Sequence, residues 1–217
     1  VIAILAQLIV LPAVTFGLTL ILPVTPSMAL GMILVACCPP GNISQVLTHR
    51  SGGNVALSVS MTAVGNVIAI FLMPLNFALW GNLHPTGGEI MRRIELEPLD
   101  MLIEVVVVIG VPFALGIALG RAFPKLAARS GKIVAPVAFL ALGALIVVAL
   151  TNNLDLFIAW IGVVAIAVFL HDALALGLGY VIGRSFGLGT AATKAMTFEV
   201  GVRNAGLGLL LVFSFFD

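Results

Sequence analysis

The sequence predicts an all-α integral membrane protein with about seven membrane-spanning helices, two of them discontinuous. Three observations carry this. The chain is 61% hydrophobic and 9% charged, with a mean hydropathy of +1.25, whereas a soluble domain carries about 25% charged residues. Water cannot solvate such a surface. Apolar stretches recur at the roughly 20-residue length that crosses a bilayer: 1–22, 27–47, 55–80, 99–120, 133–150, 156–183 and 193–216. Finally, the second and seventh stretches are each interrupted by polar, Pro- or Gly-containing residues. Irregular backbone is tolerated at membrane depth only where it is buried in protein or lines a watery cavity.

The separators carry turn chemistry: Pro23 and Pro26; Ser51-Gly52-Gly53-Asn54; the stretch from Gly81 to Pro98; Pro124 to Gly131; Asn152-Asn153. Within the longest, Glu89 to Leu96 alternates charged and apolar residues and reads equally as a short interfacial helix or a solvated loop. Basic residues set the orientation. Loops two, four and six hold Arg50; Arg121, Lys125, Arg129 and Lys132; and Arg184 and Lys194. The odd loops hold only Arg92 and Arg93, diluted by Glu89, Glu95 and Glu97. The even loops and residue 1 therefore face the cytoplasm. The small net charge of +1 implies no nucleic-acid partner. The adjacent Cys37 and Cys38 suit neither a mutual disulfide nor, alone, a metal shell. The chain begins without Met inside an apolar run and stops without a polar tail, so both ends read as truncated.

Glu199 is the sharpest candidate. A carboxylate near the bilayer centre costs on the order of 3 kcal/mol, so a cation, a proton or Arg203, four residues on, must compensate it. The first break, Cys37 to Gln45, offers the side chains of Asn42, Ser44 and Gln45, and carbonyls freed by Pro39 and Pro40. Ser58 and Thr62, four apart, face one side of the third span; back-bonding to their own helix is the plainer reading of that pair. Such hard oxygen ligands suit an alkali cation better than zinc or copper. Gln7 is a lone amide in the first span, and His171-Asp172 forms a polar pair in the sixth. Either has a structural reading, as an interhelical hydrogen bond or a satisfied pair facing the bundle. Gly116–Gly120 and Gly179–Gly183 have the spacing that permits close helix approach.

Taken together, these residues resemble the bile acid:sodium symporter family. Cys37-Cys38-Pro39-Pro40-Gly41-Asn42-Ile43-Ser44-Gln45-Val46 is similar to that family's Cys-Cys-Pro-Gly-Gly-Thr-Ala-Ser-Asn-Val break. Gly53 to Val59 resembles the segment that follows, and Glu199-Val200-Gly201-Val202-Arg203-Asn204-Ala205-Gly206-Leu207 resembles its second break, usually Glu-Val-Gly-Met-Gln-Asn-Ser-Gly-Leu. The order holds from Gln7 to Leu207. The resemblance implies a ten-helix inverted-repeat fold of which this chain covers spans three to nine. Residues 1–80 and 151–217 would be core-domain helices of the two repeats, 81–98 an interfacial connection and 99–150 panel-domain helices. It implies a first sodium site at Ser44, Gln45, Ser58, Thr62 and Glu199, and a second at Gln7, Glu199, Arg203 and the carbonyls of Val200 and Val202. Substrate would lie by Asn42 and Asn204.

Three residues depart from the pattern: Gln45 for Asn, Asn42 for Thr and Arg203 for Gln. A guanidinium has donors only and cannot ligate sodium, so Arg203 is expected to replace the second ion and neutralise Glu199. The expected function is secondary transport of a small organic anion, coupled to Na+, in a multi-pass bacterial inner membrane protein. A sodium-independent or proton-coupled carrier is the alternative. An intramembrane enzyme or a non-transporting receptor is remote, because no Ser-His or paired-Asp motif stands out. The sequence leaves the oligomeric state open.

Overall fold

The computed structural model describes residues 1–93 and 98–215, and the chain is an all-α membrane protein. The helices are α1 (Ile2–Ile21), α2 (Pro26–Cys37), α3 (Ile43–Arg50), α4 (Val55–Leu83), α5 (Gly87–Arg93), α6 (98–122), α7 (Pro124–Asn152), α8 (Leu154–Ser185), α9 (Thr190–Gly201) and α10 (Ala205–Phe215). Four segments are long and apolar enough to cross a membrane: α1, α4, Leu102–Ala122 of α6, and α8. Shorter apolar helices are α2 and Pro136–Asn152 of α7. The apolar stretch 27–47 divides into α2, the non-helical residues 38–42 and α3. The last stretch divides into α9, residues 202–204 and α10.

One sequence expectation changes and one open choice is resolved in favour of a helix. Residues 124–131 are the first two turns of α7, not a connecting loop, because Pro124 sits at the N-terminal helical position that tolerates proline. The stretch after Gly81 contains a packed helix, α5, whose Met91 is buried against Gly81 in the core. Residues 94–97, including Glu95 and Glu97, lie outside the described residues.

Prolines shape the long helices. A π-helical turn at Ala6–Val10 precedes Pro12, and another at Val106–Gly110 precedes Pro112. A proline cannot donate to the carbonyl four residues back and its ring crowds that turn, so the helix widens there. The carbonyl of Leu8, which Pro12 cannot serve, instead accepts a hydrogen bond from Asn76 Nδ2 on α4 at 2.8 Å. The wide turn carries Gln7, fully buried.

The main core gathers Leu30, Ile33 and Leu34 of α2, Met73 and Phe77 of α4, and Leu207 and Leu211 of α10. A second cluster, including Met61, Met196 and Val200, seats α9 on α4 and α1. Helices in lipid gain little from the hydrophobic effect and rely on close packing. Gly179 and Gly183 supply it between α8 and α9. A Cβ at Gly179 would lie 2.8 Å from the Met196 carbonyl oxygen, and one at Gly183 would lie 3.0 Å from Thr193 Cγ2. Gly116 and Gly120 face open space, so their equal spacing marks no packed interface among the described residues.

His84 joins α4 to α5. Its Nδ1 accepts the Gly87 N–H at 3.0 Å, and its ring meets the Phe16 ring edge-on at 6.1 Å. Accepting that bond requires a neutral imidazole, and burial holds the proton affinity of His84 below its ordinary value.

Two outcomes follow from this packing. Gly179→Ala lowers stability by about 1–3 kcal/mol through overpacking against backbone, while Gly177→Ala, which meets nothing within 4 Å, raises it by up to about 1 kcal/mol through lost backbone entropy of the unfolded chain; thermal unfolding in detergent separates them. The neutral His84 is favoured by folding. Its contribution is therefore complete above the unfolded value of about 6.5 and is lost as pH falls through the lower folded value. The protection of the Gly87–Arg93 amides, measured relative to their intrinsic exchange rates, falls on acidification in the native protein and stays flat in His84→Asn, whose side-chain oxygen still accepts.

Candidate cation and substrate site

Residues 38–42 and 202–204 have left their helices, so their backbone groups need other partners. They find each other. Gly41 N–H donates to the Val202 carbonyl at 3.1 Å, and Asn204 N–H donates to the Pro39 carbonyl at 3.0 Å, making an antiparallel bridge of Pro40 with Arg203. Gly41 suits this close approach: a Cβ there would stand 3.1 Å from the Arg203 carbonyl oxygen, a tight contact that the backbone would have to shift to admit. Pro39 and Pro40 need no N–H partner, which removes two donors from the buried stretch.

The junction points side chains at Glu199. Its carboxylate is completely buried on the last turn of α9. Oε1 accepts from Ser44 Oγ of α3 at 2.7 Å and from Ser58 Oγ of α4 at 2.5 Å, and Oε2 accepts from Thr62 Oγ1 of α4 at 2.9 Å. Gln45 Nε2 donates to Thr62 Oγ1 at 3.2 Å. Ser44 lies on the first turn of α3, so the positive end of that helix dipole also faces the acid. All five residues expected at the first sodium site thus converge. The back-bonding reading of Ser58 and Thr62 is incomplete. Thr62 Oγ1 does reach the Ser58 carbonyl at 3.1 Å, and Ser44 Oγ reaches the Gly41 carbonyl at 2.8 Å, but the acid is the shorter contact for both.

Arg203 behaves differently from a helical partner of Glu199. Because α9 ends at Gly201, the four-residue spacing no longer places the two side chains together, and they form no ion pair within 4 Å among the described residues. The guanidinium turns back to carbonyls instead. Nη2 donates to Val200 O at 2.8 Å and Nη1 to Cys38 O at 3.2 Å. It therefore ties the ends of α9 and α2 together, with its Nε unpartnered among the described residues. Of the other residues expected at a second ion, Val202 gives its carbonyl to Gly41. The buried Gln7 amide has no hydrogen-bond partner among the described residues and rests against Gly65.

Asn42 is exposed and opens α3 without a side-chain cap. Asn204 Oδ1 caps α10 by accepting the Leu207 N–H at 3.1 Å. The His171–Asp172 pair sits apart from the carboxylate. His171 Nε2 lies 3.1 Å from Thr15 Oγ1 of α1, and its Nδ1 lies 3.5 Å from the exposed Asp172. Sequence reasoning missed the hollow beside it: a cavity of about 460 Å³ lined by Met28, Met32, Val168, His171 and Arg203, within the size range of small-molecule sites. No sequence signal marks it, because its walls come from α2, α8 and the second junction.

The family profile of the Sodium Bile acid symporter family matches residues 1–160, and the chain belongs to that family, whose members are transporters and not enzymes. The uncharacterized sodium-dependent transporter YocS of Bacillus subtilis (strain 168) is 27% identical over 217 residues, all of this chain and 65% of the relative. The probable sodium/metabolite cotransporter BASS1 of Arabidopsis thaliana chloroplasts is 30% identical over 207 residues, 95% of this chain and 49% of the relative. The human ileal sodium/bile acid cotransporter is 26% identical over 206 residues, 94% of this chain and 57% of the relative. The chain thus spans 49–65% of the length of these relatives.

Removing one hydroxyl tests the carboxylate shell. Ser58→Ala takes a buried donor from Glu199 and costs about 1.5–3 kcal/mol, the range for hydrogen bonds to charged groups. Thr62→Ser keeps the donor and stays near native stability. Thermal unfolding in the absence of added sodium reads both.

Proposed function

We propose that this chain forms the ion-binding part of a secondary transporter that couples a single Na+ to the movement of a small organic anion. The observation that carries the reading is the fully buried Glu199 carboxylate, ringed by Ser44, Ser58 and Thr62 hydroxyls from two helices, with the Gln45 amide behind. A buried charge needs compensation, and one carboxylate among neutral hard oxygens is a donor set suited to an alkali cation. The relatives, named as a sodium-dependent transporter and as sodium cotransporters, agree with that choice.

On this reading residues 26–50 and 190–215 are two discontinuous membrane helices that cross at their breaks, within about seven spanning segments of an inverted-repeat fold. Residues 1–80 and 151–217 serve as core helices, 81–98 as the connection and 99–150 as panel helices. The anion lies beside the crossing, near Asn42 and Asn204. Alternating access follows from one bundle rocking about the crossing. The membrane is a bacterial inner membrane.

Arg203 sets the stoichiometry. Its guanidinium occupies the Val200 carbonyl that would otherwise help to hold a second ion, and its fixed positive charge repels one. It compensates Glu199 through space rather than through contact. A proton-coupled carrier is the second reading, because a buried carboxylate without an ion pair within 4 Å among the described residues is itself a proton site.

Sodium-dependent uptake of a radiolabelled anion by vesicles containing the full-length protein decides between these. The expected titration is hyperbolic, with a Hill coefficient of about one, and Arg203→Gln makes it steeper. A coefficient approaching two in the native protein rules out the single-ion form. Uptake driven by a proton gradient and indifferent to sodium selects the second reading.

A further inference from the structure

We infer that Lys194 is a positioning residue for the carboxylate site: it locks the helix bearing Glu199 to the helix bearing Ser44. Resting on the proposed sodium reading for its functional consequence, it adds a residue that the ion itself does not touch.

The geometry is local and specific. Ser44 and Gln45 lie at the start of α3, and Glu199 lies near the end of α9. With their near ends joined by the Pro40–Arg203 bridge, their mutual placement also depends on how the far ends of the two helices are held. The C-terminus of α3 closes with Ser51 N–H on Leu47 O, Gly52 N–H on His49 O and Gly53 N–H on Thr48 O, with Gly52 in the left-handed region at φ 72°. This cap turns the Ser51 carbonyl outward, and Lys194 Nζ donates to it at 2.6 Å. Three residues further on, Asn54 N–H donates to the Ala191 carbonyl at 2.9 Å. Gly53 lets the helices meet, since a Cβ there would lie 3.2 Å from Lys194 Cβ.

The charge acts in the same direction. An ammonium at a helix C-terminus is favourable against the dipole. Lys194 therefore sits at the negative end of α3, while the positive end of the same helix faces Glu199. Lys194 precedes Glu199 by five residues on one continuous helix, so a shift of α9 along α3 at the lysine displaces the acid from the Ser44 hydroxyl. The lysine is half-buried and binds a backbone carbonyl rather than an acid, so its role is geometric.

The test compares native protein, Lys194→Met and Lys194→Arg, each as the full-length chain in nanodiscs. Two quantities are read. One is the distance distribution between spin labels at Val46 on α3 and Thr190 on α9, both exposed. The other is the sodium concentration that half-saturates the sodium-induced rise in unfolding temperature. Lys194→Met is expected to broaden the distance distribution and to weaken apparent sodium affinity at least about tenfold, the lower end for residues that orient metal ligands. Lys194→Arg, which keeps charge and donor, is expected to restore both. An unchanged distribution in Lys194→Met overturns the proposal whatever sodium does. A broadened distribution with unchanged sodium affinity overturns it as well. If the native protein shows no sodium response while the distribution broadens in Lys194→Met and narrows in Lys194→Arg, the lock stands and the sodium reading of Glu199 falls.

Discussion

Two short stretches of backbone cannot be left unpaired in an apolar interior, and everything at the candidate site depends on how they are paired. Each N–H or carbonyl without a partner at membrane depth costs several kcal/mol. Residues 38–42 and 202–204 resolve this by bonding to one another: Gly41 to Val202 and Asn204 to Pro39. Four helix ends are thereby fixed around one point. The Ser44 hydroxyl reaches Glu199 because that small bridge determines where α3 begins and α9 ends, while Ser58 and Thr62 reach it from α4, which packs on α9 through Met61, Met196 and Val200.

Arg203 shows how one side chain changes the meaning of such a junction. In a regular helix it would face Glu199. The helix stops two residues earlier, so the guanidinium meets carbonyls instead, binding Val200 and Cys38 across the junction. It acts as a structural cross-tie first, and its charge is sensed by the acid at a distance. Gln7, buried on a π-helical turn with neither amide atom paired among the described residues, keeps a polar lining close by that the tie does not consume.

Much of this was legible in the sequence, for identifiable reasons. Composition forced a membrane protein. Pro39-Pro40-Gly41 could not continue a helix, and a lone acid in an apolar stretch demanded partners; the grouping of Ser44, Gln45, Ser58 and Thr62 with Glu199 came from the family resemblance, since residue type alone left Ser58 and Thr62 as hydroxyls bonded to their own helix. The failures have physical causes too. Pro124 read as a loop because proline is ambiguous between breaking a helix and starting one. The Glu199–Arg203 spacing suggested a pair because spacing assumes an unbroken helix. Equal glycine spacing at 116–120 and 179–183 distinguished nothing, since only the neighbour across the interface decides whether a glycine is needed. The cavity beside His171 was invisible because its walls come from residues far apart in the chain.

One detail of the carboxylate shell has a dynamic consequence. Ser44 and Thr62 each stand within reach of two acceptors, the acid and a nearby main-chain oxygen. A hydroxyl hydrogen is a rotor, and swinging it from one acceptor to the other turns the oxygen's lone pairs towards Glu199 with no displacement of any heavier atom. The pocket can therefore present protons to a bare acid or electron pairs to an arriving ion. For those two hydroxyls the switch moves hydrogen alone, whereas Ser58 Oγ contacts only the acid among the described residues.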